Sequence, residues 1–140
     1  MKKIALVVAV AMIAALPSVA APTPEAAKVA IQRYAATAKS ATTISALKSH
    51  WSSRFVRENE AMYAQQVAPL PAETRAFVER RLIQGVAEVA QNSLSSLSAT
   101  CNPSGCTARA VLPGGITQTY RLVEERGTLV IDGASTSAGR

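Results

Sequence analysis

Few residues of this chain could perform acid–base or nucleophilic chemistry. His50 is the only histidine, and an imidazole that titrates near neutral pH could act as a general base. No motif marks a carboxylate that would orient it, and Arg54, one helical turn further on, would disfavour the imidazolium. Asp132, the only aspartate, precedes Gly133 in a pair typical of a turn. Because no serine lies in Gly-x-Ser-x-Gly and no metal-ligating residues cluster, we expect no catalytic residue, no metal and no cofactor.

The two cysteines form a second candidate for chemistry. Cys101 and Cys106 are separated by Asn-Pro-Ser-Gly, and both of these dipeptides are typical of turns. In an exported protein this spacing predicts a disulfide across the tip of a hairpin. A redox motif of the thioredoxin type would have two intervening residues, and a metal site would need further ligands.

Aromatic and arginine side chains are the candidates for ligand binding. The aromatic residues are scarce, and their simplest role is to anchor the core. The alternative is that Trp51, Tyr63 and Tyr120 line the mouth of a cleft and stack on a ligand, while Arg54 and Arg121 supply polar contacts.

The first twenty residues predict a cleavable signal peptide. Lys2 and Lys3 precede the apolar run 4–16, and Ser18-Val19-Ala20 is a small-x-small cleavage site. The apolar run is shorter than the roughly 20 residues that a membrane-spanning helix needs, so we expect no stable membrane anchor. Cleavage after Ala20, or after Ala21, would deliver a periplasmic or secreted protein.

The charge of the mature chain is mild and dispersed. Removal of Lys2 and Lys3 lowers the formal net charge from +6 to +4, and the longest basic run that remains is Arg80-Arg81. This distribution argues against nucleic acid as a partner.

The first predicted helix begins at Thr23-Pro24-Glu25, where the threonine caps the helix, the proline suits its first turn and the glutamate favours the positive end of its dipole. We expect it to end near Lys39. Its small apolar stripe should pack closely against a flat surface. The stripe consists of Ala27, Ile31, Tyr34, Ala35 and Ala38.

Two further helices are predicted before the strands begin. One begins after the cap Thr43 and carries its apolar side chains at Ile44, Leu47, Trp51 and Phe55. The other runs from Pro71 to about Gln91, and Gly85 in its middle suggests close packing at that point.

After Ser93 the apolar period changes from helical to alternating, which indicates strands. The predicted hairpin tip between Cys101 and Cys106 and the turn residues at 113–115 and 126–127 divide this half into about four antiparallel strands. The fold class is therefore α+β, with three helices packed on a curved antiparallel sheet. We expect a signal peptide over residues 1–20, a single domain over 21–133 and a flexible tail over 134–140.

Two segments carry a resemblance to a known family. Residues 47–55, Leu-Lys-Ser-His-Trp-Ser-Ser-Arg-Phe, and 120–132, Tyr-Arg-Leu-Val-Glu-Glu-Arg-Gly-Thr-Leu-Val-Ile-Asp, are similar to the second-helix segment and the closing hairpin of the NTF2-like, cystatin-like superfamily. The resemblance implies a cone whose mouth binds small molecules or partner proteins, often in a homodimer. The isomerases of that kind use an aspartate base and an oxyanion hole of a tyrosine and a second, protonated aspartate, whereas this chain has Asp132 alone.

These observations favour an exported, non-enzymatic binding module of a bacterial-type cell envelope. Its partner would be a small apolar ligand or an envelope protein. Two alternatives stay open: a periplasmic inhibitor or immunity protein that caps a cell-wall-degrading enzyme with its hairpin at Cys101–Cys106, and an enzyme of the isomerase or dehydratase sort.

Overall fold

The computed structural model describes residues 21–138, and the predicted signal peptide lies outside them. The fold class is α+β, as predicted. The helical half contains α1 (Pro24–Ser40), a 3-10 helix (Ile44–His50), α2 (Ser53–Gln66) and α3 (Ala72–Ser93). The strands are β1 (Ser98–Asn102), β2 (Gly105–Val111), β3 (Thr117–Glu125) and β4 (Thr128–Ser137). None of the helices between residues 21 and 138 is long and apolar enough to cross a membrane.

The four strands form one antiparallel sheet in the order β1-β2-β3-β4. Gly105 begins β2 where no side chain could fit, because a Cβ there would lie 2.3 Å from the Leu122 carbonyl oxygen. The β3–β4 turn places Arg126 at φ 54° and Gly127 at φ 76°, the positive values that tight hairpin turns require at both central residues.

Helix α1 covers the inner face of the sheet. Thr23 caps it as predicted, since its Oγ1 accepts a hydrogen bond from the Ala26 amide at 3.1 Å. The five residues of its predicted apolar stripe are its buried residues. They pack on Ala108, Leu122 and Ile131 of the sheet within the main core, so the Ala-rich face does allow a helix to lie close to a flat surface.

The prediction of one continuous second helix was wrong. The chain forms the 3-10 helix, becomes extended at Trp51, and starts α2 only at Ser53. Trp51 pairs with Ile131 of β4 as an isolated parallel bridge, and the Ser52 amide donates to the Ile131 carbonyl at 2.8 Å. The Ser52 hydroxyl then caps α2 by accepting from the Phe55 amide at 3.1 Å. The sheet edge therefore competes successfully with helix at this point.

The predicted flexible tail was also placed too early. Strand β4 continues through Ser137, where it still pairs with Thr117. Small Ser and Thr residues suggested disorder by composition, but β3 is long enough to give them a partner strand. The residues beyond 138 lie outside the described part.

Gly85 does not lie at a close contact, which corrects that expectation. It is exposed in the interior of α3, and a Cβ built there meets no atom within 4 Å. Replacing glycine by alanine at such a site removes a helix penalty of about 1 kcal/mol. We therefore expect Gly85→Ala to raise the free energy of unfolding by about 0.5–1 kcal/mol, measured by urea denaturation. A loss of stability would show that the helix needs the glycine.

Cys101 and Cys106 are bonded as a disulfide at the tip of the β1–β2 hairpin, as predicted. They occupy directly opposite positions in the register. The loop is short, so a Cys101→Ala/Cys106→Ala variant should lose about 2 kcal/mol of unfolding free energy. Wild-type protein in reducing buffer should lose a similar amount in the same urea titration. Equal stability of the oxidised wild type and the variant would contradict the expectation.

Candidate functional site

The five side chains predicted to bind a ligand do not lie in one place. Trp51 and Tyr63 line a cleft between the 3-10 helix, α2 and α3. Arg54 and Arg121 instead meet at Asp132, beside the start of α2. Tyr120 is only 2% exposed and lies in the core beneath α1. The structure thus brings together one aromatic pair and, separately, one arginine pair.

The cleft consists of two adjoining cavities of about 190 and 80 Å³. Most of its wall is apolar, and the smaller cavity is almost entirely so. Ile44, Trp51, Asn59 and Tyr63 line both cavities, and Leu47, Met62, Leu82, Ile83 and Val86 complete the smaller one.

The cleft exists because α2 contacts the core only at its first turn, where Phe55 and Val56 pack against it. None of the residues of α2 is buried, and α2 has almost no close approach to α3. The facing side chains Met62 and Leu82 are each 37% exposed. Exposed apolar side chains that face each other across a concave surface are a common feature of binding sites.

Trp51 forms a rigid floor for this cleft. Its indole Nε1 donates to the Tyr34 hydroxyl at 3.3 Å, and its ring meets Phe55 edge-on at 5.3 Å between centroids. Burial raises the pKa of Tyr34 to about 12, so its hydroxyl stays neutral at physiological pH. Tyr120 supports Tyr34 from below in an edge-to-face contact. The buried aromatic residues therefore hold the indole in one position.

The charged side chains of the cleft and Asn59 already have partners. Glu79 accepts a hydrogen bond from the Ile44 amide at 3.2 Å, and Lys48 pairs with Glu60 at 2.8 Å. Asn59 donates to the Phe55 carbonyl at 2.8 Å. What the cleft offers a ligand is therefore mainly apolar surface.

Ser45 and Lys48 were missed as a candidate pair. They lie three residues apart on the 3-10 helix and both line the larger cavity, a spacing that occurs at the nucleophile of some acyl-transfer enzymes. The geometry does not join them, because the Lys48 ammonium is bound to the Glu60 carboxylate. Simple inspection for Ser-x-x-Lys would have found the pair.

Asp132 is not the solvated turn residue that its neighbour Gly133 suggested. Its side chain is 14% exposed and lies at a bulge in β4. The carboxylate accepts from the Ser52 hydroxyl at 2.6 Å, from Arg54 Nε at 3.1 Å and from Arg121 Nε at 3.2 Å. Burial by itself raises the pKa of this carboxyl, but the hydrogen bonds from Arg54, Ser52 and Arg121 outweigh burial and hold the pKa below its ordinary value. Such a carboxylate stabilises charge pairs and is a weak proton acceptor.

A second carboxylate holds the same end of α2. Both oxygens of Glu125 lie 3.1 Å from the Ser53 amide. The hydroxyl and amide of Ser53 lower the pKa of this carboxyl, and its charge also suits the positive end of the helix dipole. The start of α2 is thus fastened to the β3–β4 hairpin by Asp132 and Glu125.

His50, at the end of the 3-10 helix, is half-buried and has partners in α1. Its Nε2 is hydrogen-bonded to Thr37 Oγ1 at 2.7 Å, and its ring packs against Tyr34. Burial, followed by the charge of Arg33, lowers its pKa. The cation that disfavours the imidazolium is therefore Arg33 and not Arg54, because the chain breaks its helix between His50 and Arg54.

Within residues 21–138 no group of three or more His, Cys, Asp or Glu side chains is placed to hold a metal ion. Comparisons with protein-family models, with curated proteins and with solved structures found no match to this chain. The resemblance to the NTF2-like superfamily therefore remains a prediction.

Proposed function

We propose that this protein is a non-enzymatic binding module of the cell envelope that holds an apolar ligand in the cleft between the 3-10 helix, α2 and α3. The observation that carries the proposal is the immobilised indole of Trp51 beneath an open apolar gap. Apolar groups that enter such a gap gain about 25 cal/mol for each Å² removed from water. The cleft is preformed, so little ordering of the protein offsets that gain.

The size of the cleft limits the ligand. A cavity of about 150 Å³ is sufficient for benzene, and the larger of the two cavities measures about 190 Å³. Pockets that enclose a drug-sized molecule are usually larger, about 300–1,000 Å³. The ligand should therefore insert one ring or one alkyl chain and leave the rest of the molecule outside.

Export is part of the proposal and depends on two features. The N-terminal pattern of Lys2, Lys3 and the apolar run is typical of a signal peptide, and a disulfide at Cys101–Cys106 is stable in an oxidising compartment. The test is intact-mass measurement of protein recovered from the envelope of expressing cells. A chain that begins at Ala21 or Pro22 supports export, whereas a cytosolic chain beginning at Met1 contradicts it.

Trp51 is the only tryptophan, so its fluorescence reports directly on the cleft. Trp51 is 7% exposed, so titration with decanol, a neutral alkyl probe, should give a saturable change in emission intensity as the chain contacts the accessible edge of the indole. Calorimetry on the same samples should give the same affinity. An emission spectrum that does not change, together with no measurable heat of binding, would contradict the proposal.

A second candidate function has one observation in its favour. The tip of the β1–β2 hairpin is exposed yet doubly constrained, because the disulfide closes it and Asn102 Oδ1 accepts from the amide of Ser104 at 2.9 Å and from its hydroxyl at 2.6 Å. A rigid exposed tip loses little entropy on binding, which suits an inhibitor of a cell-wall-degrading enzyme. Inhibition of a panel of muramidases and amidases, lost in Ser104→Arg, would support it. No inhibition across the panel would exclude it.

A further inference from the structure

A second concave surface adjoins the cleft and is bordered by cations. We call it the cationic depression. It has a volume of about 520 Å³. Its apolar floor is formed by Trp51, Val56 and Val130, and its basic border by Lys48, Arg57 and Arg126.

The basic residues of the cationic depression outnumber its one acidic residue, Glu125. Glu125 is hydrogen-bonded to the neutral Ser53 and keeps its negative charge, which offsets part of the charge of the neighbouring Arg126, while Lys48 pairs with Glu60. Among the ion pairs of residues 21–138, neither Arg57 nor Arg126 takes part. The depression therefore keeps a net positive charge, and the guanidinium groups of Arg57 and Arg126 are not taken up by a direct ion pair.

The backbone of Arg126 adds an independent observation. The residue has φ 54°, a conformation that is uncommon for residues other than glycine and asparagine. Asparagine or glycine would serve the turn better. The turn accounts for the positive φ but not for the choice of arginine, whose side chain lines the depression.

The cationic depression and the cleft lie next to each other. Trp51 and Lys48 line both of them. On α2, Arg57 borders the depression and Tyr63 borders the cleft. They are about 9 Å apart along the helix axis and about 120° apart around it, so a ligand that occupies both sites must pass over Trp51 and Lys48, the two residues that the sites share.

We propose that the ligand of this protein is an anionic amphiphile, with its apolar chain in the cleft and its carboxylate or similar head in the cationic depression. This inference rests on the proposed function, since it assigns the class of ligand to the same site. The apolar chain supplies most of the affinity, and Arg57 and Arg126 select the charge of the head.

The test compares three probes that share one alkyl chain: decanoate, decanol and decyltrimethylammonium, each below its micelle concentration. Trp51 fluorescence and calorimetry measure the dissociation constants. We expect decanoate to bind about tenfold more tightly than decanol, with the cation weakest, and the difference to shrink in high salt. In Arg57→Gln/Arg126→Asn, decanoate and decanol should bind equally. Asparagine is chosen at 126 because it tolerates the positive φ.

Two control variants make the comparison specific. Arg57→Lys/Arg126→Lys keeps both charges and should keep the preference for decanoate. Lys39→Gln/Arg109→Gln removes the same net charge from exposed positions outside the depression and should also keep it.

The possible failures are distinguishable. Equal binding of decanoate and decanol to the wild type would overturn the anionic head site and leave the apolar cleft standing. Loss of the preference for decanoate in the Lys39→Gln/Arg109→Gln control would overturn the anionic head site as well, because the net positive charge of the whole protein would then explain the preference. Failure of all three probes to bind would overturn the proposed function and this inference together.

Discussion

Asp132→Ala is expected to lower the free energy of unfolding by about 2–3 kcal/mol, the largest stability effect of any single substitution proposed for this chain. The carboxylate is only 14% exposed and is shared by Ser52, Arg54 and Arg121. Its removal leaves a capping hydroxyl and two guanidinium groups without their common acceptor. Urea denaturation at neutral pH measures the loss.

Glu58→Ala is the matched control. Glu58 pairs with the same Arg54 from one helical turn further on, but its side chain is 57% exposed. Exposed pairs of this kind contribute about 0.3–0.5 kcal/mol. Equal losses in Asp132→Ala and Glu58→Ala would show that Asp132 does not fasten α2 to the sheet.

The same carboxylate predicts how stability depends on pH. The folded protein lowers the pKa of Asp132, so the stability it contributes is fully present above the ordinary pKa of about 4 and is lost as the pH falls through the lower folded value. The lowered pKa of Glu125 acts in the same direction. The difference in stability between wild type and Asp132→Ala should therefore be constant above about pH 5 and decrease as the solution becomes more acidic.

The parts of the fold that the sequence predicted are those with a local periodic pattern. The buried stripe of α1 repeats at helical spacing over one continuous helix, and the burial of β2 alternates from Cys106 to Val111. In both cases each residue's environment follows from its neighbours in the chain, so composition and period were sufficient.

The break at Trp51 and Ser52 could not be predicted in that way. The spacing from Ile44 to Phe55 satisfies a helix, and what interrupts it is the edge of β4, about 80 residues later in the chain. The environment of Asp132 is likewise decided by distant segments of the chain. Its neighbour Gly133 indicates a turn, whereas its actual partners Ser52 and Arg54 are brought to it by the fold.

The site was predicted only in part for a related reason. Trp51 and Tyr63 line the same cleft although the chain breaks its helix between them. Tyr120 belongs to the inner face of β3, where the alternation with Leu122 could have indicated burial. Arg121, on the outer face, meets Asp132 only because of the bulge in β4. Sequence patterns indicate which residues are unusual, but contacts between distant segments decide which of them meet.

Leu82→Glu should weaken the binding of decanol by about ten- to a hundredfold, which is the largest functional effect that the cleft predicts. Leu82 lies in the smaller cavity with Trp51, and the substitution replaces apolar wall by a carboxylate that would lose water when the chain enters. Decanol is the right probe because a neutral ligand separates the loss of apolar contact from repulsion between two anions.

Phe77→Glu supplies the matched control for that result. Phe77 is on the same helix and is 57% exposed, but it lines neither cavity of the cleft. Phe77→Glu makes the same change of charge as Leu82→Glu and also removes an exposed apolar side chain. Because Phe77 lies outside the cleft, this variant should bind decanol as tightly as the wild type does. If both variants lost affinity equally, the ligand would be held by a diffuse apolar surface of α3. If neither lost affinity, the site would lie elsewhere, and the gap between α2 and α3 would be only a consequence of how α2 is fastened at Asp132.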